Sequence, residues 1–270
     1  MRGNQFTLLH SRIRGVEAVE ADTAFAFGRH THEQFGVGLI HRGAQKSASG
    51  RGPVEAGPGD LITVNPGEVH DGAPIGDQGR GWRMLYLDPA IIASAIADIS
   101  EGRIGVAIEF SHPAIRDARL AALFGRLFRV MTQAPAPARP DLAVDESLLQ
   151  VLGALLQPSP GRQAAVPGGI AAALAMIDDC PVQALSLSDL ARCAGLSRYQ
   201  FLRSFARTTG LTPHAYIMQR RLHRARGLIG KGSALSDAAL ECGFADQSHM
   251  TRLFVRSFGM APGAYAKAVA

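Results

Sequence analysis

The first 110 residues consist of short apolar runs separated by polar, glycine-rich and proline-rich turns. The runs Phe35 to Ile40, Asp60 to Val64 and Trp82 to Leu87 have the length and composition of β-strands. Turn sequences such as Gly79-Arg80-Gly81 divide the runs at roughly the spacing of a small barrel or sandwich. A short helix over Pro89 to Ile99 is expected to interrupt them. Residues 1–110 are therefore predicted to form one mostly β domain.

Beyond residue 110 the apolar positions recur at three- and four-residue steps, which is the period of an amphipathic helix. One such helix is predicted from Pro113 to Met131 and a second from Leu142 to Leu156, with a Pro-Ala break at 134–140 between them. Helices that follow a β domain pack either on that domain or on a second subunit. We expect residues 111–156 to form a dimer surface, with intramolecular packing as the alternative.

Residues 157–169 (QPSPGRQAAVPGG) are rich in proline, glycine and small residues and have no apolar period. This composition predicts an interdomain linker. A short helix over Ile170 to Asp179 then opens a second domain, which extends from residue 170 to residue 270.

The second domain contains a sequence repeat. Short amphipathic segments end at Gly195 and Gly243, and each glycine is followed by a helix that starts at a capping residue, Ser197 or Asp246. A helix, a glycine turn that allows positive φ and a second helix are the sequence pattern of a helix-turn-helix. The recurring pairs include Asp189 and Asp237, Ala191 and Ala239, Arg203 and Arg252, Phe205 and Phe254, Gly210 and Gly259, Pro213 and Pro262, and Tyr216 and Tyr265.

The second helix of each repeat has an apolar face and an open polar face. The pattern places Phe201 and Phe205 on the buried face of the first, and Met250, Phe254 and Phe258 on that of the second. Amphipathicity alone fits any helical bundle, but the open faces carry the side chains that read base edges, at matching positions. The predicted DNA-binding residues are Arg198, Tyr199, Leu202, Arg203, Arg207, Gln247, Ser248, Thr251, Arg252 and Arg256.

Between the repeats a single helix is predicted from Pro213 to Ile229, about 25 Å long at 1.5 Å per residue. A rigid spacer of that size holds two recognition helices about one DNA turn apart, roughly 34 Å, so that both enter successive major grooves of double-stranded DNA. The two open faces differ in size and polarity, so we expect a site of two different boxes. The spacer carries four arginines that either contact phosphates or form a solvated face: Arg220, Arg221, Arg224 and Arg226.

Charge supports this interpretation because it is uneven. Residues 170–270 contain 12 Lys+Arg against 6 Asp+Glu, whereas residues 1–169 contain 16 against 17. A basic C-terminal third is the electrostatic footprint of a nucleic-acid binder, with a solvated basic surface as the alternative. Three cysteines without CxxC spacing argue against a disulfide frame or a zinc site and are expected to be small core residues. The lack of a long apolar run or a signal pattern predicts a cytoplasmic protein that does not contact a membrane.

The repeat, from Ser188 to Tyr265, resembles the DNA-binding domain of the AraC/XylS family of bacterial transcription regulators. The resemblance lies in the Gly-Phe, Ser-His, Arg-x-Phe and Gly-x-x-Pro elements of DAALECGFADQSHMTRLFVRSFGMAPGAY. It implies seven helices, a double helix-turn-helix, and base contacts from the third and sixth helices. Ser204 departs from the pattern, because a larger apolar residue is common there. The implied base contacts are Tyr199, Leu202 and Arg203, then Gln247, Ser248, Thr251 and Arg252.

The first domain resembles the sensor domain of the same family, a cupin-like β barrel. The motifs that carry this resemblance are His30-Thr31-His32, Pro58-Gly59-Asp60-Leu61 and Pro66-Gly67-Glu68-Val69-His70. The expected fold class is therefore α+β, with a cupin-like barrel and appended helices before an all-α double helix-turn-helix. A small barrel holds one small molecule among its inward side chains. The predicted ligand-binding residues are His30, His32, Gln34, His70, Trp82 and Tyr86.

In metal-binding cupins two histidines and a glutamate meet a further histidine, and here Gly36 and Val37 stand where the glutamate is expected. We therefore expect no metal, no cofactor and no enzymatic activity. The leading hypothesis is a transcription regulator controlled by a small-molecule effector, assembled as a homodimer, with RNA polymerase as a candidate partner. The alternatives are a metal-dependent cupin enzyme with a DNA-binding tail, and a regulator whose barrel serves only for dimerisation.

Overall fold

The chain divides into two units. The computed structural model describes residues 5–99, 108–133, 142–158 and 166–269 of the 270-residue chain. One unit comprises residues 1–27 and 31–161, and the other comprises residues 28–30 and 162–270. Residues 28–30 belong to a strand that is paired within the N-terminal sheets. The predicted α+β class, with a β-rich region followed by a helical one, is confirmed.

The N-terminal unit contains two main sheets. Its described strands are β1 (Gln5–Leu9), β2 (Val16–Thr23), β3 (Phe27–His30), β4 (Phe35–Arg42), β5 (Ala44–Ser49), β6 (Gly52–Ala56), β7 (Leu61–Val64), β8 (His70–Ile75), β9 (Arg80–Leu87), β10 (Ile108–Phe110), β11 (Ala114–Ile115) and β12 (Leu156–Pro158). The larger sheet has the order β1-β2-β9-β4-β7-β11, the smaller has the order β3-β8-β5-β6, and β10 pairs with β12. The three strand runs predicted from the sequence correspond to β4, β7 and β9.

Strand β9 lies inside the larger sheet, antiparallel to both β2 and β4. Side chains alternate between the two faces of a strand, so its even-numbered and odd-numbered residues belong to different cores. Trp82 and Met84 join Ile40 of β4 and Ala56 of the smaller sheet in one apolar cluster. Leu85 faces the other way, into a core shared with the helices that follow.

Helices α1 (Pro89–Ile99), α2 (Ala118–Thr132) and α3 (Leu142–Leu155) complete this unit. The first and third lie where the sequence predicts them, but the helix predicted from residue 113 begins five residues later. Ile115 lies in β11 opposite Leu61 of β7, so tertiary pairing overrides its fit to the helical period. Asp117 then caps α2 by accepting hydrogen bonds from the first-turn backbone N–H groups.

The apolar faces of α2 and α3 are buried within the unit. Phe124 and Leu127 of α2 and Leu148 and Val151 of α3 belong to the same core as Leu85 of the sheet. The intramolecular packing that the sequence left open therefore uses these faces. The homodimer expected from residues 111–156 stays a prediction, and it would have to use their other surfaces.

The described residues of the C-terminal unit from 166 onward form helices and their connections. The helices are α4 (Gly168–Asp179), α5 (Leu187–Cys193), α6 (Arg198–Thr209), α7 (Pro213–Gly230), α8 (Leu235–Glu241), α9 (Gln247–Phe258) and α10 (Pro262–Val269). Helices α5 and α6 form the first helix-turn-helix, α8 and α9 form the second, and α7 joins them. No helix of the described ranges is long and apolar enough to cross a membrane.

The cysteine prediction was wrong in part. Cys242 is buried at the end of α8, but Cys180 and Cys193 are exposed. Helix α5 has only 7 residues. A helix this short buries one narrow face, here through Leu190 and Ala191, and leaves Cys193 on the other.

The predicted linker at 157–169 is only partly described. Residues 157–158 belong to β12 and residues 168–169 to α4, whereas 159–165 and the Pro-Ala break at 134–140 lie outside the described residues. The linker boundaries therefore stay a prediction.

Gly38 of β4 is predicted to tolerate no larger residue. A Cβ atom there would lie 2.4 Å from Met84 Sδ and 2.7 Å from the backbone oxygen of Arg83. The methionine side chain can move, but the Arg83 carbonyl belongs to the sheet. We expect Gly38→Ala to lower the free energy of unfolding by about 1 to 3 kcal/mol. Urea unfolding followed at Trp82, the single tryptophan, measures this change in the N-terminal unit.

Gly125 offers a matched control. It lies inside α2, and a Cβ atom there would meet no atom within 4 Å. Gly125→Ala should raise the free energy of unfolding by about 0.5 to 1 kcal/mol, because alanine loses less backbone entropy in a helix. A Gly38→Ala variant as stable as the wild type would contradict the close approach of β4 and β9.

Candidate nucleic-acid interface and ligand site

The two helix-turn-helix units share one turn geometry. Gly195 has φ 65° and Gly243 has φ 73°, in the left-handed region that glycine adopts without strain. The backbone N–H of the next residue, Leu196 or Phe244, donates to the carbonyl five residues earlier, at 2.9 and 3.0 Å. The repeated sequence therefore forms a repeated backbone structure.

Both recognition helices start at the residues that the sequence predicts. The Ser197 hydroxyl accepts a hydrogen bond from the Gln200 N–H, and the Gln200 side chain accepts one from the Ser197 N–H. The Asp246 carboxylate accepts the third backbone N–H of α9 at 2.6 Å. Both helices end at a left-handed glycine, Gly210 and Gly259. Fixed ends hold each helix in one orientation on its unit.

Helix α6 has a buried face and an exposed face. Phe201 and Phe205 are fully buried in a core with α4, α5 and α7. On the opposite face Tyr199 is 68% exposed and Leu202 is 37% exposed. The guanidinium carbon of Arg203 lies 5.8 Å from the centre of the Tyr199 ring. Two further exposed arginines lie at the edges of this face, Arg198 and Arg207.

Helix α9 is arranged in the same way with different side chains. Met250 and Phe254 are fully buried. Gln247 and Ser248 are exposed in the first turn, where a recognition helix contacts base edges. The remaining predicted DNA-binding residues of α9 are Thr251, which is half-buried, and Arg252 and Arg256, which are exposed.

Helix α7 has 18 residues, one more than the sequence predicts, and it contacts helices of both helix-turn-helix units. Its arginines are engaged within the C-terminal unit. Arg220 forms an ion pair with Asp178 at 2.8 Å, and Arg224 forms one with Glu241 at 3.1 Å. The guanidinium of Arg226 lies over two aromatic rings. These contacts favour a structural role for the helix over phosphate binding.

Arg221 connects the two helix-turn-helix units. Its Nε donates to Pro181 O at 2.8 Å and its Nη2 to Val182 O at 3.3 Å, in the segment that precedes α5. Its Nη1 donates to Gly243 O, in the turn between α8 and α9, at 2.6 Å. Burial lowers the pKa of Arg221 below its ordinary value. One guanidinium therefore links α7 to the segment before α5 and to the turn between α8 and α9.

Sequence analysis did not separate Arg221 from the other arginines of α7. One signal was available in the sequence. Arg220 and Arg221 are adjacent, so they project about 100° apart on a helix and do not point in the same direction.

Three of the predicted ligand-binding residues come together. The candidate ligand nitrogens of His30, His32 and His70 lie within 4.8 Å of one another. The His32 ring centre is 5.2 Å from that of His70 and 4.8 Å from that of Tyr86. His30 and His32 are buried, so the cluster is largely shielded from water.

Backbone carbonyls orient two of these histidines. His30 Nδ1 is 2.8 Å from Gly28 O, and His70 Nδ1 is 3.0 Å from Glu68 O. A carbonyl only accepts, so each Nδ1 carries a hydrogen. Burial lowers the pKa of His70, which favours the neutral ring. Three imidazoles this close together have the chemistry that suits a divalent transition metal.

The other predicted ligand-binding residues have different surroundings. Gln34 Nε2 donates to Asp88 Oδ1 at 3.1 Å, so its amide holds the end of β9. Trp82 lies on the same face of β9 as Tyr86 but in edge contact with Phe6 and Phe27.

Sequence analysis missed a buried arginine next to Trp82. Arg80 was assigned to a turn because it stands between two glycines, yet its side chain is 1% exposed. A Gly-Arg-Gly sequence gives no signal that distinguishes a turn arginine from one that starts a strand.

Two family models match this chain. The model of the AraC-like ligand binding domain matches residues 15–152, and that of a helix-turn-helix domain matches residues 190–268. Two solved structures of ToxT from Vibrio cholerae have a similar fold. An apo variant from strain SCE256 has a TM-score of 0.59 at 10% identity and covers 97% of this chain and 100% of its own. The structure at 1.65 Å has a TM-score of 0.56 at 11% identity and covers 99% of both chains.

Similar sequences are transcription regulators. YbfI of Bacillus subtilis (strain 168), an uncharacterized HTH-type transcriptional regulator, is 27% identical over 235 residues, which is 83% of this chain and 81% of YbfI. LumQ of Photobacterium leiognathi, a probable transcriptional regulator, is 38% identical over 82 residues, 30% of this chain and 33% of LumQ. The activator RhaS of Escherichia fergusonii is 36% identical over 90 residues, 33% of this chain and 32% of RhaS.

The ligand-binding model covers half of the chain, and the helix-turn-helix model covers the duplicated helices described above. The chain therefore belongs to the AraC/XylS family of DNA-binding transcription regulators, with an N-terminal ligand-binding domain.

Proposed function

We propose that the chain recognises an asymmetric site on double-stranded DNA, with α6 in one major groove and α9 in the next. The observation that carries this proposal is the pair of capped helices with exposed polar faces at matching positions. Helix α7, about 27 Å long for its 18 residues, supports a fixed separation of the two reading helices. Arg221 supports it further by bonding to a segment on each side.

The two boxes of the site differ in sequence. Tyr199 and Leu202 give α6 a bulky reading surface that suits thymine methyl groups. Gln247 and Ser248 give α9 a small polar surface that suits hydrogen bonding to adenine and other base edges. Each helix also supplies an arginine for guanine. One chain therefore reads two unlike boxes about one helical turn apart.

A small molecule bound in the N-terminal unit controls this DNA binding. The match to a ligand-binding domain and the buried contact of His32 with His70 and Tyr86 support this part of the proposal. Such a ligand acts only through a difference in its affinity for the DNA-binding and non-binding arrangements of the protein.

The chain acts in the cytoplasm as a homodimer, and RNA polymerase is its partner at the promoter. RhaS is named as an activator, which supports a role in recruiting polymerase. Light scattering of the purified chain tests the dimer. The relatives named above are regulators, and this favours a regulator over the metal-dependent enzyme considered from the sequence.

We expect Arg252→Ala to weaken binding to the specific site by about 1 to 3 kcal/mol and to relax the preference at one base pair. The reason is that the variant loses a base contact from α9. Selection of bound fragments from the source genome supplies the site. Fluorescence anisotropy on that site and on random DNA then measures the effect.

Two variants serve as controls for this measurement. Lys267→Ala removes one exposed positive charge from α10 and should change affinity for both DNAs to a similar, smaller extent. Arg203→Ala should relax a position in the other box. An Arg252→Ala variant that loses as much affinity for random DNA as for the specific site would have a phosphate role instead.

Arg221→Met should lower the free energy of unfolding by about 1 to 3 kcal/mol, because three backbone carbonyls lose their donor. It should also let the protein bind sites whose boxes are one base pair closer or further apart, since α6 and α9 lose their fixed separation. Preferences within each box should stay unchanged. Binding to a series of spacing variants measures this tolerance.

Arg224→Met is the matched control on the same helix. Its partner Glu241 is 53% exposed, so loss of this surface pair should cost at most about 0.5 kcal/mol and leave the spacing preference intact. If the Arg221 and Arg224 variants behaved alike, Arg221 would not set the separation of the reading helices.

A further inference from the structure

Arg80 is a buried cation at the start of β9. It is among the largest fully buried side chains of the described residues, at 1% exposure. Burial lowers the pKa of Arg80 to about 10, because desolvation penalises the charged form. The guanidinium therefore still carries its charge at neutral pH.

The hydrogen bonds of Arg80 do not satisfy this group. A guanidinium has five N–H groups. Nη1 donates to Phe25 O at 3.3 Å and Nη2 to Gly72 O at 3.1 Å. Nε is buried without a hydrogen-bond partner. Within residues 5–99, 108–133, 142–158 and 166–269, no acidic side chain pairs with Arg80.

Aromatic rings compensate only part of the charge. The guanidinium carbon lies 4.9 Å from the centre of the Trp82 ring and 6.0 Å from that of Phe27. A cation over an aromatic face is stabilised, more strongly when water is excluded. The rings supply no oxygen acceptor for the Nε–H, however. A buried guanidinium with an unused donor is the environment that an oxyanion fits.

Arg80 faces the interior that holds the predicted ligand-binding residues. Arg80, Trp82 and Tyr86 are alternate residues of β9, so they project from one face of the sheet. A Cβ atom at Gly72 of β8 would lie 3.4 Å from Arg80 Nη2, and Gly72 shares its face of the strand with His70, two residues away. The cation, the indole ring and the histidine cluster therefore line the same side of their strands.

We propose that the N-terminal unit binds an organic acid whose carboxylate pairs with the Arg80 guanidinium and whose apolar body lies against Trp82 and Phe27. The two carboxylate oxygens accept from Nε and one Nη, which gives the bidentate geometry that guanidinium and carboxylate prefer. The inference rests on the proposed function, because it names the chemical class of the effector.

Calorimetric titration of the full chain tests the proposal with three acids and their neutral amides. The acids are benzoate, phenylacetate and hexanoate, and the controls are benzamide, phenylacetamide and hexanamide. We expect at least one acid to bind about 10- to 100-fold more tightly than its amide, because charge-assisted hydrogen bonds form only with the carboxylate. Equal affinity of acids and amides, or no binding of any acid, would overturn the proposal.

Variants assign the binding to Arg80. Arg80→Met removes the charge and should abolish the preference for acids, and Arg80→Lys keeps the charge without the fork and should reduce it about tenfold. Arg83→Met is the control, because Arg83 is the next arginine on β9, projects from the other face and pairs with Glu20 at the surface. A preference for acids that persists in Arg80→Met would place the site elsewhere.

Thermal unfolding of the variants shows whether a loss of binding results from a loss of folding. Arg80→Met removes a buried charge that has no acidic partner, but it leaves the carbonyls of Phe25 and Gly72 without their donor, so it should unfold in one cooperative transition at a moderately lower temperature than the wild type. If Arg80→Met does not fold, the Lys variant decides the test: unchanged preference for acids in Arg80→Lys contradicts the bidentate pair.

DNA binding is measured separately, so the two proposals fail in different ways. If acids bind through Arg80 and do not change affinity for the specific DNA site, the carboxylate site stands and the effector role fails. If the chain binds its DNA site and prefers no acid over its amide, the regulator stands and the carboxylate inference fails.

Discussion

A guanidinium that leaves water must find oxygen acceptors, and each unit of this protein contains one such group. In the C-terminal unit Arg221 donates to Pro181, Val182 and Gly243, and these carbonyls belong to segments on both sides of α7. In the N-terminal unit Arg80 reaches two carbonyls and two aromatic rings and keeps an unused Nε–H. The protein itself supplies the acceptors for the Arg221 guanidinium, so Arg221 has a structural role. The Arg80 guanidinium is incompletely satisfied, and we propose it as a binding group.

This difference separates the parts of a regulator that must be rigid from those that must respond. The proposed reading of two boxes of fixed separation requires recognition helices that do not move relative to each other, and the caps, glycine turns and Arg221 are the contacts that favour such an arrangement. A sensor requires an interaction that a ligand completes, because a ligand shifts an equilibrium only by its differential affinity. We propose the buried Arg80 as an interaction of this kind.

Sequence patterns predicted the secondary structure where local and tertiary preferences agree. Ser197 and Asp246 cap their helices as predicted, because capping depends on neighbouring residues alone. The prediction failed at Ile115, whose spacing fits a helix but whose pairing with β7 makes a strand. It also failed at Cys193, because the sequence does not show how narrow the buried face of a seven-residue helix is. At Ile115 a distant strand decides the local conformation, and at Cys193 the packing decides which residues of a helix are buried.

The sequence by itself determined the two-part organisation, the duplicated helix-turn-helix and the side chains on its open faces. The sequence repeat, the apolar period and the capping residues can be recognised in the sequence without knowledge of the packing. Only the tertiary structure showed which of the four arginines on α7 bonds to segments on both sides of that helix. It also showed that His30, His32 and His70 meet, and that Arg80 is a buried cation and not a turn residue. Burial and hydrogen-bond partners depend on segments far apart in the chain, and a linear pattern does not record which of those segments come together.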